Sequence, residues 1–202
     1  MRSVLVGLMV LSGGIAGPIT PARGDVEACR PAELFATDNT DPLFELQADM
    51  TIAQSGTAVT GSTLLDGVYW SKALQQTTRE SSREFHLCVA DEPTLHAVAE
   101  GVRRQFNQEA VLTFNYLPER APDADAVVIR VPDVDIMRFR DAFTADSAAH
   151  DRQSGGSVTT ADHTLILVAA NGDLDVARRL VSAAGGNWDA ADIAYGRCEF
   201  AE

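Results

Sequence analysis

Residues 126–143 read AVVIRVPDVDIMRFRDAF, and this stretch decides the fold class that the sequence predicts. Residues 126–131 are mostly apolar and have the length of a strand. Pro132 and Asp133 then open a predicted helix. The apolar face of that helix consists of Ile136, Phe139 and Phe143, which recur at helical spacing. A buried strand followed directly by an amphipathic helix predicts a mixed α+β fold.

The rest of the C-terminal half completes a known arrangement of strands and helices. The predicted elements are, in order, a loop ending at Gly155-Gly156, a hairpin of strands at 158–160 and 164–169, a helix between Asn171 and Gly185, and a strand at 193–200. Together with the first strand and helix, they give the order strand, helix, strand, strand, helix, strand. This order is the split βαβ or ferredoxin-like motif.

The N-terminal half shows a similar order with one element in doubt. The alternation of apolar and polar residues predicts a strand over residues 44–52. Residues 54–62 carry no helical stripe, so the first helix of this half is predicted to be short or absent. The remaining predicted elements are strands at 63–70 and 83–89, a helix from the N-cap Asp91 to Phe106, and a strand at 110–117.

This similarity between the halves indicates an internal duplication. The first half is predicted over residues 43–117, the linker over 118–125 and the second half over 126–202. Val127-Val128-Ile129 and Leu165-Ile166-Leu167-Val168 are apolar on both faces of their strands, so both faces need cover. We therefore expect two ferredoxin-like halves packed sheet to sheet, as a sandwich or a closed α+β barrel.

The N-terminus has the character of an export signal. Residues 1–24 contain Arg2, the apolar stretch Val4–Leu11 and then small and turn-forming residues, which is the pattern of a secretory signal peptide. Cleavage after either Ala16 or Gly24 fits the small-residue pattern. Residues 25–42 are predicted to be a surface lead-in. The sequence therefore predicts a secreted or cell-envelope protein with no stable membrane span once the signal is removed.

The charge of the chain restricts its partners. The 202 residues include 29 acidic and 16 basic side chains, which gives a formal net charge of −13. Such a field repels phosphate polyanions and anionic membrane surfaces. Nucleic acid is therefore excluded as a predicted partner, which leaves an unidentified protein or small molecule.

Three cysteines, Cys29, Cys88 and Cys198, are available for disulfide formation. In an oxidising compartment two of them can pair and leave the third free. All three pairings remain open. No Cys-x-x-Cys motif is present, so neither a redox-active dithiol nor a structural zinc site is predicted.

Three short segments are distinctive: LLDGVYW (64–70), the Arg79-Glu80-Ser81 turn and RRQFNQEAVL (103–112). Together they resemble a family of small exported bacterial proteins known only as a domain of unknown function. The resemblance covers roughly residues 60–117 and implies export and a ferredoxin-like half. It implies no activity. The chain departs from the family pattern in lacking the preceding helix and in adding a second half.

The candidate site residues are Glu84, His86 and Cys88, which alternate along one predicted strand and therefore share a face. If that face lines the space between two sheets, the three groups form a set for acid-base or nucleophilic chemistry or for a transition metal. The competing interpretation is a solvent-facing strand with its cysteine in a disulfide. No cofactor is predicted, because no phosphate loop, nucleophile elbow or helical metal motif is present.

Two function classes follow from these observations. The first is a non-catalytic binding or interaction module, because no convergent catalytic set is evident. The second is a small-molecule-binding protein or enzyme whose site lies between the sheets near Glu84, His86 and Cys88. A cavity between the two halves, and the side chains that line it, would distinguish them.

Overall fold

The computed structural model of the protein describes residues 29–89 and 91–202, in which eight antiparallel strands close into a barrel. The strands are β1 (Arg30–Thr37), β2 (Ala58–Ser71), β3 (Gln76–Val89), β4 (Val111–Tyr116), β5 (Ala126–Val131), β6 (Gly155–Thr159), β7 (Leu165–Ala170) and β8 (Asp192–Ala201). The helices are α1 (Phe44–Gln54), α2 (Glu92–Gln105), α3 (Ile136–Ala145) and α4 (Leu174–Ala183), with short 3-10 helices at Asn171–Asp173 and Trp188–Ala190.

The order of strands around the barrel keeps each half of the chain together. The order is β1-β3-β2-β6-β7-β5-β8-β4, and β4 closes the ring by pairing with β1. Strands β1 to β4 therefore form one continuous arc of the ring, and strands β5 to β8 form the other. The β2–β6 and β4–β8 pairs join the arcs. A closed barrel leaves no unpaired sheet edge.

The helices cover the outside of the barrel in two separate cores. Phe44 and Ile52 of α1 and Val98 of α2 pack with buried residues of β1 and β3. Phe139 and Phe143 of α3, together with buried residues of α4, pack on the outer faces of β5 and β7. This arrangement explains why Val127-Val128-Ile129 are apolar on both faces of β5, since one face meets helices and the other faces the barrel interior.

The barrel interior is crossed by a small apolar layer. It consists of Leu65, Phe114, Ala126, Val128 and Ile166, all buried, with Phe35, Tyr116, Val168 and Cys198 packed against them. These side chains come from β1, β2, β4, β5, β7 and β8, so they meet only inside the ring. The layer divides the interior into two ends with different chemistry.

The prediction of a strand over residues 44–52 was wrong, because this segment is α1. Its buried residues are Phe44, Ala48 and Ile52, at intervals of four, whereas Leu46 and Met50 are more than half exposed. Positions four apart belong both to a helical face and to a period-two pattern, and the two exposed apolar residues completed a false alternation. The first helix of this half is therefore present.

The prediction that residues 25–42 are a surface lead-in also needs correction, because β1 lies within them. Ala32, Leu34 and Ala36 are buried beneath α1 and α2. Glu33 is 3% exposed although it is charged. The Asp, Pro, Thr and Asn content of the segment is typical of a surface loop, and only the ion pairs described below make the burial of Glu33 favourable.

Several other predicted elements match the structure. Residues 126–131 form a strand as predicted, and Asp91 caps α2 by accepting a hydrogen bond from Thr94 N at 2.8 Å. The helix predicted to open at Pro132-Asp133 begins later than expected, because α3 starts at Ile136 with Asp135 as its N-cap. Gly155-Gly156 belongs to β6 rather than to a loop, and β6 and β7 form the predicted hairpin.

One disulfide is present, between Cys29 and Cys88, and Cys198 is free. The bond joins the start of β1 to the end of β3, two strands that are already neighbours in the barrel. The predicted signal peptide, residues 1–24, lies outside the described residues. Among the helices that the structure describes, none has the length and apolar character needed to cross a bilayer.

Candidate functional site

One end of the barrel holds a group of polar side chains, which we call the Arg130 cluster: Glu33, Glu84, His86, Tyr116 and Arg130. Arg130 Nη2 donates to Glu33 Oε1 at 2.5 Å and to Glu84 Oε1 at 2.6 Å. The Tyr116 hydroxyl donates to the same Glu33 oxygen, and His86 Nδ1 lies 3.6 Å from it. The two glutamates are buried, whereas the His86 side chain is 39% exposed. The cluster therefore closes this end of the interior.

The two carboxyls of the Arg130 cluster titrate in opposite directions. Burial alone would raise the pKa of Glu33, but His86, Arg130 and Tyr116 hold it at about 2. Burial and the neighbouring charge of Glu33 raise the pKa of Glu84 to about 7, against the attraction of Arg130. The Glu33 carboxylate also raises the pKa of His86. At neutral pH, therefore, Arg130 is compensated mainly by Glu33, and Glu84 is protonated more readily than an ordinary glutamate.

Glu33, Glu84 and His86 are also the residues most able to hold a metal ion among those described. One ligand atom from each lies within 4.8 Å of the others. Arg130 already bonds both carboxylates, so its guanidinium occupies the position of a cation between them. The cluster therefore has an internal cation and functions as a buried ionic network.

The structure separates the three predicted site residues. Glu84 and His86 face the interior together, as the alternation predicted, whereas Cys88 is bonded to Cys29. A disulfide sulfur is not available as a nucleophile or a metal ligand. The proposed set of Glu84, His86 and Cys88 is therefore wrong as a catalytic unit.

Sequence reasoning missed Glu33, Tyr116 and Arg130, which complete the cluster. Arg130 is the only charged residue in the strand AVVIRV, and a charge within a strand buried on both faces requires a buried partner. That signal was available. No sequence signal identified Glu33 as the partner, because it lies 97 residues away on a strand that was not predicted.

The opposite end of the interior contains a cavity of about 530 Å³, which we call the barrel cavity. Its walls include the apolar side chains Phe35, Leu112, Ile166, Val168 and Phe200. Phe200 is 48% exposed and lies at the rim with exposed Asp125 and Arg152, so the cavity opens to solvent. Its volume lies within the range of about 300–1,000 Å³ typical of small-molecule sites.

Three hydroxyl groups form a polar spot in the apolar wall of the barrel cavity. The Tyr69 hydroxyl lies 2.7 Å from Ser157 Oγ and 3.4 Å from Ser82 Oγ. Burial raises the pKa of Tyr69, so the group stays a neutral donor and acceptor. Apolar walls with a few placed polar groups are the usual composition of a ligand pocket.

A glycine makes room for the Tyr69 ring. A Cβ built on Gly67 would lie 2.8 Å from Tyr69 Cζ and from its hydroxyl oxygen, so the ring lies directly over this position. Gly67 pairs with Ser157 on one side and with Glu80 on the other. The Leu-Asp-Gly segment of β2 thus sets the direction of the tyrosine that enters the cavity.

Comparisons with family models and with curated proteins found no match. Similar solved structures include a candidate glycine cleavage system transcriptional repressor, with 12% identity over 82% of this chain and 95% of that chain and a TM-score of 0.28. An unknown protein from Galdieria sulphuraria has 11% identity over 82% and 96%, with a TM-score of 0.29. An anthrone oxidase-like protein has 10% identity over 88% and 94%, with a TM-score of 0.26. At these TM-scores the likenesses carry no argument about function.

Proposed function

We propose that this protein is a non-catalytic binding module that holds a small, mainly apolar molecule in the barrel cavity. The observation that carries the proposal is the cavity itself, about 530 Å³ with walls of aromatic and aliphatic side chains. A closed barrel does not need an open, apolar end for its own stability, and exposed apolar surface is unfavourable unless something covers it. The hydroxyls of Tyr69, Ser82 and Ser157 would orient a polar group of the ligand.

The location of the site differs from the one expected from Glu84 and His86. Those residues lie at the opposite end of the interior, beyond the apolar layer, where ionic contacts fill the space. The proposed function is therefore still binding, but the proposed site consists of the barrel-cavity residues and not of Glu84 and His86. Enzymatic activity is not part of the proposal, because the cavity wall lacks a nucleophile with a hydrogen-bonded base among the described residues.

We also infer an origin and a location for the module. Each half has the order strand, helix, strand, strand, helix, strand, and the two arcs share the relative strand order β4-β1-β3-β2 and β8-β5-β7-β6. This correspondence supports two duplicated ferredoxin-like halves. The Cys29–Cys88 disulfide supports an extracytoplasmic location, since structural disulfides persist in oxidising compartments.

Binding of the uncharged fluorescent probe N-phenyl-1-naphthylamine tests the proposal. The probe should brighten in the wild-type protein and lose most of its affinity in Val168→Trp, which fills the cavity from β7. Ala170→Phe, at the exposed rim, tests the same site with little strain on the core. Leu74→Trp, in the exposed turn between β2 and β3, is the matched control. Absence of saturable binding, or equal binding by all variants, would refute the proposal.

A further inference from the structure

Two acidic side chains, Glu80 and Asp125, and one basic side chain, Arg152, line the barrel cavity. The Arg152 guanidinium is held by carboxylates outside the cavity, with Nε 2.7 Å from Asp173 Oδ1 and Nη2 3.4 Å from Asp175 Oδ1. These carboxylates offset the positive charge of Arg152. The potential in the cavity is therefore negative, because Glu80 and Asp125 dominate it.

Glu80 and Asp125 have no cationic partner among the described residues. Glu80 accepts a hydrogen bond from the Thr37 hydroxyl, and the neighbouring Arg79 and Arg83 pair with other carboxylates. Asp125 accepts from the backbone nitrogen of Cys198 at 3.3 Å. Two uncompensated carboxylates at the mouth of an apolar pocket favour a positive charge there and oppose a negative one.

The two carboxylates lie on opposite sides of the mouth. Glu80 belongs to β3 and Asp125 directly precedes β5, and these strands are separated by three others in either direction around the ring. The field therefore acts across the whole opening, and the net charge of −13 on the chain acts in the same direction.

We propose that the ligand of the barrel cavity is a cationic amphiphile, with an ammonium or guanidinium group at the mouth and an apolar body inside. This inference rests on the proposed function and goes beyond it by naming the charge of the ligand. The apolar walls bury the body, while Glu80 and Asp125 supply the counter-charge. An anionic amphiphile of the same size should bind more weakly, because the same two groups repel it.

Competition among three ligands of equal chain length tests the inference. Octylamine, octanol and octanesulfonate would each displace N-phenyl-1-naphthylamine from the whole protein at pH 7 and low ionic strength. We expect octylamine, which is protonated at this pH, to act at a roughly tenfold lower concentration than octanol, and octanesulfonate to be the weakest. The advantage of the amine should shrink in 0.5 M NaCl, because salt screens exposed charges.

Variants identify the carboxylates responsible. Glu80→Gln and Asp125→Asn keep the oxygens that accept from Thr37 and Cys198, so each should reduce the advantage of the amine without changing displacement by octanol. Asp123→Asn, exposed and outside the cavity wall, is the matched control. Equal displacement by all three ligands, or an amine preference that survives the Glu80→Gln/Asp125→Asn double variant, would overturn the inference while leaving apolar binding intact. Failure of the probe itself to bind would overturn the proposed function.

Discussion

Arg130 on β5 donates to Glu84 on β3 at 2.6 Å across the interior of the barrel. The two strands lie on opposite sides of the ring and belong to different halves of the chain. The bond therefore joins the halves through the interior, in addition to the backbone pairing at the two seams. Arg130 and its partners fill one end of the barrel, and the open cavity lies at the other.

Replacement of Arg130 tests how much this network contributes. Arg130→Met leaves Glu33 and Glu84 buried without a cation, so we expect a loss of about 3–5 kcal/mol in the free energy of unfolding at pH 8. The loss should be smaller at pH 5, because a protonated Glu84 needs no cation. Urea unfolding at the two pH values measures both quantities.

Two further variants are controls for Arg130→Met. Arg140→Met, on α3, where Arg140 forms an ion pair with the adjacent Asp141 and with no other described residue, should change stability by less than about 0.5 kcal/mol. The triple variant Glu33→Gln/Glu84→Gln/Arg130→Met removes all three charges and should recover much of the loss. If Arg130→Met is no more harmful than Arg140→Met, the ionic network does not hold the barrel together.

The opposite titration of the two glutamates predicts an acidic optimum of stability. The raised pKa of Glu84, from 4.5 to about 7, means that the folded protein binds a proton that the unfolded chain releases in this interval. Stability from this group therefore falls as the pH rises through that window. The raised pKa of His86 acts in the same direction, so its contribution to stability is also lost as the pH rises through the pKa of His86 in the folded protein. The lowered pKa of Glu33 acts in the opposite direction, so its contribution to stability is lost as the pH falls from 4.5 towards 2. The melting temperature should thus be highest near pH 5.

Glu84→Gln isolates the contribution of this carboxyl. A glutamine resembles the protonated acid at every pH, so the variant should lose less stability than the wild type between pH 5 and pH 8, by on the order of 1–3 kcal/mol. Glu119→Gln, at an exposed position of the 118–125 connection, should follow the wild-type profile. Parallel profiles for the wild type and Glu84→Gln would show that Glu84 titrates normally in the folded protein.

Local patterns in the sequence predicted the elements whose burial is decided by neighbours in the chain. The apolar strand 126–131 and the Asp91 cap needed no distant information. The strand β1 and the helix α1 could not be predicted in this way. Burial of Glu33 depends on Arg130, and exposure of Leu46 and Met50 depends on which face of α1 meets α2 and the sheet.

The candidate site was harder to predict than the fold, because its residues come from many strands. Alternation along β3 placed Glu84 and His86 on an inner face. It could not show which end of the barrel would be filled and which would be open. The cavity wall contains small polar residues, Ser157 in β6 and Ser82 in β3, and small residues in a strand carry no signal of a pocket until the register is known.

The Cys29–Cys88 disulfide predicts a redox-dependent stability. It encloses a sequence separation of 59 residues, for which the chain-entropy relation gives a stabilisation of about 4 kcal/mol. Unfolding in reductant, or of Cys29→Ser/Cys88→Ser, should show a loss of this order. Cys198→Ala should keep the full dependence on reductant, because that thiol is free. Labelling of the unfolded, unreduced protein should modify one thiol; modification of three would contradict the pairing.

The position of the Tyr69 ring depends on Gly67, which lies beneath it. Two substitutions within β2 test this dependence. Gly67→Ala places a methyl group against the Tyr69 ring, which must move away from Ser157. Overpacking of this kind typically costs about 1–3 kcal/mol, and displacement of the tyrosine should weaken binding of N-phenyl-1-naphthylamine. Gly61→Ala, in the same strand, adds a methyl group whose nearest contact is His86 at an ordinary 3.7 Å. Gly61→Ala should therefore leave probe binding unchanged and raise stability slightly, since alanine restricts the unfolded chain. Equal effects of the two substitutions on probe binding would mean that the Tyr69 ring does not form part of the site.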